Sequence, residues 1–251
     1  MRVAMGSPPD ELAHWRANPK LDGIRANVNA VHRDSSGKAL TDYPRPSVAV
    51  DTAVLTVPDD DPRLSALLIR RTGDHRGSEW SLPGTCLHEG ETLAVAVGRS
   101  LREKAGLTPD VAPRQLHVFD DPARDDRGWV LSVAHVAALP WRQIEPVLEA
   151  GGGSVRVLPV DDVRGLPFGH DDIVRRAAAD LRLHYLERPD PDGLLDEPFT
   201  IRELHRLHEA VEGGLGFSPD TFRRTMLPLL DETRRRSEGT VGKPAQLYVR
   251  R

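Results

Sequence analysis

Between Leu82 and Leu107, the residues whose types and spacing could do chemistry are Glu91, Arg99, Ser100, Glu103 and Lys104. A helix from Thr92 to Lys104 sets Ser100, Glu103 and Lys104 at i, i+3 and i+4, so one face offers a hydroxyl, a carboxylate and an ammonium. A hard dication such as Mg²⁺ needs several oxygen ligands, and a single carboxylate beside an ammonium is too few for a tight cage. Glu103 is the metal ligand here if there is one. The Lys104 ammonium could instead meet an anion directly, or pair with a neighbouring carboxylate at the surface. A second chemical group is cationic. From Ser218 to the end, eight Lys and Arg stand against four acids, a formal +4 that leaves −8 for the rest of a chain of net −4. A basic terminal module on an acidic body suits nucleic acid, although a solvated face would carry the same charges.

The elements that must position these groups are legible from pattern. Strands are expected at Ser47 to Val57, Ser65 to Arg70, Gln115 to Asp120, Trp129 to Ala138 and Val155 to Val160. Gly151 to Ser154 reads as a flexible loop within one mixed sheet. His170 to Leu186 reads as a helix with Ile173, Ala177, Leu181 and His184 or Tyr185 on one face. The turn-rich run Arg188 to Gly193 stops it, because proline cannot continue a helix. Thr200 and Glu203 then form a capping box that opens a helix buried along Ile201, Leu204, Leu207, His208 and Val211 and closed by Gly213 and Gly214. Ser218 and Pro219 suit the N-cap and first position of a second helix, with Phe222, Met226 and Leu229 or Leu230 inward. Short strands from about Glu232 to Arg236 and from Gln246 to Arg250 can pair across a Gly-rich tip. Three parts are therefore expected: 1–42 as a disordered or loosely attached leader, 43–187 as an α/β ligand-binding domain, and 198–251 as helix, turn, helix and basic hairpin. That last order is the one found in winged helix-turn-helix domains.

The Leu82 to Leu107 segment resembles the Nudix box, G-x5-E-x7-R-E-U-x-E-E-x-G-U with U apolar. Glu91, Arg99, Leu101, Glu103, Gly106 and Leu107 match, whereas Thr85 stands at the opening Gly and Ser100 and Lys104 replace two of the three family glutamates. Ala66 to Arg71, Trp80 to Gly84 and the loop Arg124 to Trp129 fit the same resemblance, which implies a mixed-sheet α/β/α sandwich. With the carboxyl-terminal segments Phe199 to Leu204, Phe222 to Met226 and Gly242 to Tyr248, the chain from Tyr43 onward resembles the Nudix-related transcriptional regulators of bacterial NAD metabolism, the NrtR type. The resemblance implies an α/β Nudix domain sensing ADP-ribose or a related nucleotide, a winged helix binding a palindromic operator, and a homodimer. The departures at Ser100 and Lys104 suit a sensor that holds its ligand without consuming it and requires no cofactor, with Mg²⁺ needed only if hydrolysis survives.

Candidate ligand contacts are Arg71, Trp80, Gly84, Glu103, Lys104 and Arg127; candidate DNA contacts are Thr221, Arg223, Arg224, Arg234 and Lys243. Arg can read guanine edges or hold phosphates, but it also often ends strands for solubility, and Trp often packs. The leading reading is a ligand-responsive DNA-binding repressor, and two others stand beside it: an active ADP-ribose pyrophosphatase, and a nucleotide-binding module whose carboxyl domain contacts protein. Cys86 is the only cysteine, so no internal disulfide or Cys-based zinc site is possible. No apolar run approaches the ~20 residues that span a bilayer and no signal-peptide core opens the chain, so a cytoplasmic location without membrane contact is expected.

Overall fold

A computed structural model describes residues 32–72, 78–109, 113–214, 218–237 and 244–251. The chain divides into two compact units, Met1–Arg45 and Pro46–Arg251. Residues 1–31 of the expected leader lie outside the described residues. Those from 32 to 45 form a turn organised by Asp34, whose carboxylate accepts from the backbone and hydroxyl of Ser36 (2.8 and 2.7 Å), from the Lys38 N–H (3.1 Å) and from the Tyr43 hydroxyl.

In the larger unit a seven-stranded sheet runs β3-β2-β1-β6-β5, with β4 (Gly84–Cys86) also on β1 (Ser47–Thr56) and β7 (Val155–Pro159) on β2 (Ser65–Arg70). β1 lies parallel to β6 (Val130–Ala138) over nine positions, while β3 (Trp80–Ser81) and β5 (Arg114–Phe119) pair antiparallel to their neighbours. Strand alternation divides the apolar residues of β1 between two cores. Val50 and Val54 pack with α1 (Leu93–Ala105) and α2 (Trp141–Ala150); Ala53 and Leu55 pack with α3 (His170–Glu187). This is the expected α/β/α sandwich. Thr92 caps α1 by accepting from the Val95 N–H, and Gly106 ends it at φ 66°. Sequence pattern missed α2, where Pro140 and Pro146 obscure a helical spacing whose one fully buried residue is Ile144.

After a short linker come β8 (Phe199–Thr200), α4 (Ile201–Glu212), α5 (Pro219–Met226), β9 (Leu230–Arg236) and β10 (Gln246–Arg250), the three strands in the order β8-β10-β9. The capping box forms as expected: the Glu203 N–H donates to Thr200 Oγ1 (3.1 Å) and the Thr200 N–H to Glu203 Oε2 (2.7 Å). Phe199, Leu204, Phe222, Met226, Leu230 and Tyr248 make a small core of their own. The module is nonetheless packed on the sandwich. Leu207 and Val211 join the α3 core, and Arg182 Nε donates to the Val211 carbonyl at 2.9 Å. In the linker, the buried Asp190 carboxylate accepts from Tyr185 Oη (2.7 Å), from the Leu194 and Leu195 N–H groups (2.8 and 2.9 Å) and from Arg250.

His208, 3% exposed, sits between Tyr185 and Phe222 at ring-centroid distances of 5.1 and 4.8 Å. Burial, with a smaller contribution from His205, pushes its pKa down to about 4. The folded ring stays neutral where the unfolded ring takes up a proton, so its contribution is complete above the unfolded pKa and is lost as pH falls toward 4. Stability should therefore drop by on the order of 2 kcal/mol between about pH 7 and 4.5. Urea midpoints across that window should fall in the wild type and flatten in His208→Leu.

Candidate functional site

β1 carries Asp51 into the floor of a cleft of about 600 Å³, a volume suited to a small-molecule ligand. Asp51 Oδ2 accepts from Ser132 Oγ (2.6 Å) and Arg124 Nη2 (3.2 Å), while Oδ1 lies 3.3 Å from His170 Nε2. Burial opposes the charge, but His170, Ser132 and Arg124 together hold the carboxyl at about 2, so it stays ionised. His170 Nδ1 accepts from the Leu82 N–H at 3.0 Å, which leaves the proton of a neutral ring on Nε2. That nitrogen is buried, 3.3 Å from Asp51 Oδ1, a long contact. Gly84 is the cross-strand partner of Asp51, and a Cβ there would run into Asp51 Oδ1. Only glycine lets β4 approach so closely.

The walls are more cationic than anionic. Arg70, Arg71, Lys104, Arg124 and Arg127 line the cleft with three carboxylates, Asp51, Glu103 and Asp125. Arg127 forms a two-pronged pair with Asp125 (2.8 and 2.7 Å), and its guanidinium lies 4.5 Å from the centre of the Phe168 ring. Arg71 lies over the same ring at 5.0 Å and donates to the Ser78 carbonyl at 3.2 Å. Phe168 itself has φ 60°, a left-handed backbone that a bulky residue adopts only at a cost.

Of the residues expected from sequence, Arg71, Gly84, Glu103, Lys104 and Arg127 line this one cleft. Lys104 Nζ donates to the Gly84 carbonyl, tying α1 to β4. Desolvation lowers its pKa, against the pull of Asp51 and Glu103. Trp80 is not among the lining residues. Adjacent strand residues point to opposite faces, so the geometry that turns Ser81 inward turns Trp80 beneath the Arg156 guanidinium at 4.1 Å. Ser100 also departs from expectation. It is buried with Ala96, Val97 and Leu101, at 1% exposure, one turn below Lys104, and it does not line the cleft as Glu103 and Lys104 do. Glu91 is taken by Arg99 Nε and Nη2 at 2.8 Å each, which holds its carboxyl at about 2 and braces the loop before α1. Sequence pattern missed Asp51, Arg124, Phe168 and His170; the one local signal was a lone carboxylate inside the apolar run of β1.

In the carboxyl-terminal module, Phe222 and Met226 face inward, and Arg223 and Arg224 are exposed on the opposite side of α5. Arg234 is exposed on β9 together with Arg235 and Arg236. Thr221 is half-buried and its hydroxyl accepts from Ser218 Oγ at 3.0 Å within the N-cap of α5. Lys243 lies outside the described residues.

A NUDIX domain matches residues 48–180, and the NrtR DNA-binding winged helix domain matches residues 193–249. Over 230 residues the chain is 30% identical to the ADPR responsive transcriptional repressor NtrR of Acinetobacter baylyi, covering 90% of each protein. The chain belongs to the NrtR family of Nudix regulators. Shewanella oneidensis NrtR, in its crystal structure complexed with a 27mer DNA, superposes with a TM-score of 0.68 at 30% identity, over 81% of this chain and 93% of that one. The Nudix portion is also 30% identical over 136 residues to an ADP-ribose pyrophosphatase of Methanocaldococcus jannaschii, 53% of this chain and 73% of that enzyme.

Most carboxylates near the cleft of this NrtR-family chain already hold other partners. Asp51 is taken by Arg124 and Ser132, Asp125 by Arg127 and Glu91 by Arg99, which leaves Glu103 beside an ammonium. Among the described residues, no group of three or more His, Cys, Asp or Glu could hold a metal ion. Nor is any described helix long and apolar enough to cross a membrane.

Proposed function

We propose that this chain is an ADP-ribose-responsive transcriptional repressor of NAD-metabolism genes. Its Nudix cleft holds ADP-ribose or a closely related nucleotide without consuming it, and its winged helix binds palindromic operator DNA as a homodimer in the cytoplasm. One observation carries the sensing half. Lys104 reaches the cleft at the position of a family glutamate, among more cations than carboxylates, so the site favours a diphosphate without a dication. Arg71 and Arg127 supply the remaining anion contacts, and Arg223, Arg224, Arg234 and Lys243 supply the DNA contacts.

The test is binding of the full chain to a duplex of its own upstream region, with and without ADP-ribose. Retarded DNA that ADP-ribose releases is expected, and no binding at any salt concentration would refute the proposal. ADP-ribose titrations in EDTA and in excess Mg²⁺ should agree in the wild type, and Lys104→Ala should weaken ADP-ribose about tenfold or more by loss of a charge-assisted bond. Unchanged affinity in that variant would return Lys104 to a purely structural role.

A second reading, an ADP-ribose pyrophosphatase, is favoured by Glu103 and by the similarity to the Methanocaldococcus jannaschii enzyme. Mg²⁺-dependent release of AMP at about 1 s⁻¹ or faster would establish it.

A further inference from the structure

We infer that α3 is the relay through which an occupant of the cleft is felt by α5, with His170 the positioning residue at its first turn and Tyr185, His208 and Phe222 the chain of contacts at its far end. The inference rests on the ligand and DNA reading above and deepens it by naming the path of regulation.

The cleft end of α3 is poised to respond. His170 is 2% exposed and faces the cleft, with Nδ1 fixed by Leu82 and Nε2 without a hydrogen bond of good geometry. Polar oxygens of an occupant at the cleft floor, phosphate or ribose, meet the Asp51 and His170 pair 3.3 Å apart, and a change in that pairing moves the first turn of α3. The two residues that lead into the helix, Phe168 and Gly169, are both left-handed, at φ 60° and 67°. Phe168 lies under the two guanidiniums that face the same cleft. A ligand that draws Arg71 or Arg127 toward itself therefore unloads the ring immediately before α3.

The helix is built to move as one body. It has 18 residues, a rod of roughly 27 Å at 1.5 Å per residue. Ile173, Val174, Ala177 and Leu181 are fully buried along it, and close-packed interiors transmit displacement rather than absorb it. Shifts of 1–2 Å at helix interfaces are an established mode of switching.

At the far end three rings from three helices meet. Tyr185 of α3 packs on His208 of α4 at 5.1 Å, and His208 packs edge-on against Phe222 of α5 at 4.8 Å. Neither His208 ring nitrogen has a well-formed hydrogen bond; the backbone group acting on it is the Tyr185 carbonyl, itself on α3. Ring packing and the Tyr185 carbonyl together set the orientation of His208, so the ring follows α3. Arg182 of α3 holds the Val211 carbonyl of α4 at 2.9 Å, so a shift of α3 carries α4 with it. Phe222 stands next to Arg223 and Arg224, and its displacement re-aims both.

Hydrogen exchange on the full chain, with and without saturating ADP-ribose, tests the relay. Changed protection is expected at the cleft, along 170–187, and in 199–212 and 218–226. In His208→Leu, the cleft should still be protected while the change in 218–226 disappears. In the same variant, the factor by which ADP-ribose weakens DNA binding, roughly 10 to 100 in the wild type, should fall toward one. Wild-type protection that stops within 170–187, or a His208→Leu response equal to wild type, overturns the relay and leaves the sensor reading standing. No protection at the cleft in the wild type defeats the ADP-ribose reading and the relay together. If His208→Leu does not fold, the wild-type exchange pattern alone decides.

Discussion

Asp51→Ala should destabilise the fold by about 3–5 kcal/mol, the range for removing one partner of a buried ion pair. The Asp51 and Arg124 side chains are 9% and 6% exposed, and the variant would leave the guanidinium in that environment with the Phe168 carbonyl as its remaining described partner, at 2.9 Å. Ser132 Oγ and His170 Nε2 would lose the same carboxylate. The cost comes from the stranded charge rather than from the pair as such, so a double variant, Asp51→Leu with Arg124→Met, should recover much of the loss. The sign of the pH dependence follows from the depressed pKa. The Asp51 contribution is present above the ordinary carboxylate value near 4 and is lost as pH falls toward about 2, well below the window in which His208 acts. Denaturant midpoints for the two single variants and the double variant measure this, and an Asp51→Ala loss below about 1 kcal/mol would contradict it.

The same cluster explains what sequence could and could not reveal. β1, β2, α1, α3 and both helices of the winged module are legible because their signals are local: apolar alternation, a 3.6-residue stripe, the Thr200 and Glu203 capping box, and the Ser218 cap. The cleft face of α1 is legible in part, since a helix fixes where Glu103 and Lys104 stand relative to each other. Helical spacing does not fix how the helix is rotated against the sheet, and that rotation buries Ser100 and leaves the other two in the cleft. The floor of the site is not local at all. Arg124, Ser132 and His170 reach Asp51 across 73, 81 and 119 positions, and no periodicity links them. Which of Trp80 and Ser81 lines the cleft is not legible for a related reason: β3 is two residues long, too short to declare which face is inward.

The cleft and the winged module both concentrate cations within one chain of net −4. Cleft cations are mostly committed, Arg124 to Asp51, Arg127 to Asp125 and Arg70 to Glu79, so a ligand must compete for them. Such competition favours a ligand with several anionic oxygens, which can repay more than one broken pair at once.

Arg223→Ala and Arg224→Ala should each weaken operator binding by about 1–3 kcal/mol, roughly five- to 150-fold, if the side chain reads a base edge. Both are exposed on a helix whose opposite face, Phe222 and Met226, is buried in the core of the module. Truncating them removes no core packing, and thermal stability and ADP-ribose affinity should be unchanged. The basic hairpin should behave differently. Arg234→Ala on β9 and Lys243→Ala beyond it should weaken all DNA sequences alike and reduce the slope of log affinity against log salt by about one per lost phosphate contact. Salt titrations on operator and on unrelated duplex separate the two classes, because a base contact contributes on the operator alone. Loss of affinity shared equally by both duplexes in the α5 variants would demote Arg223 and Arg224 to backbone contacts. Unchanged affinity in all four variants would mean that α5 and the hairpin do not face DNA, and that the carboxyl-terminal module meets a different partner.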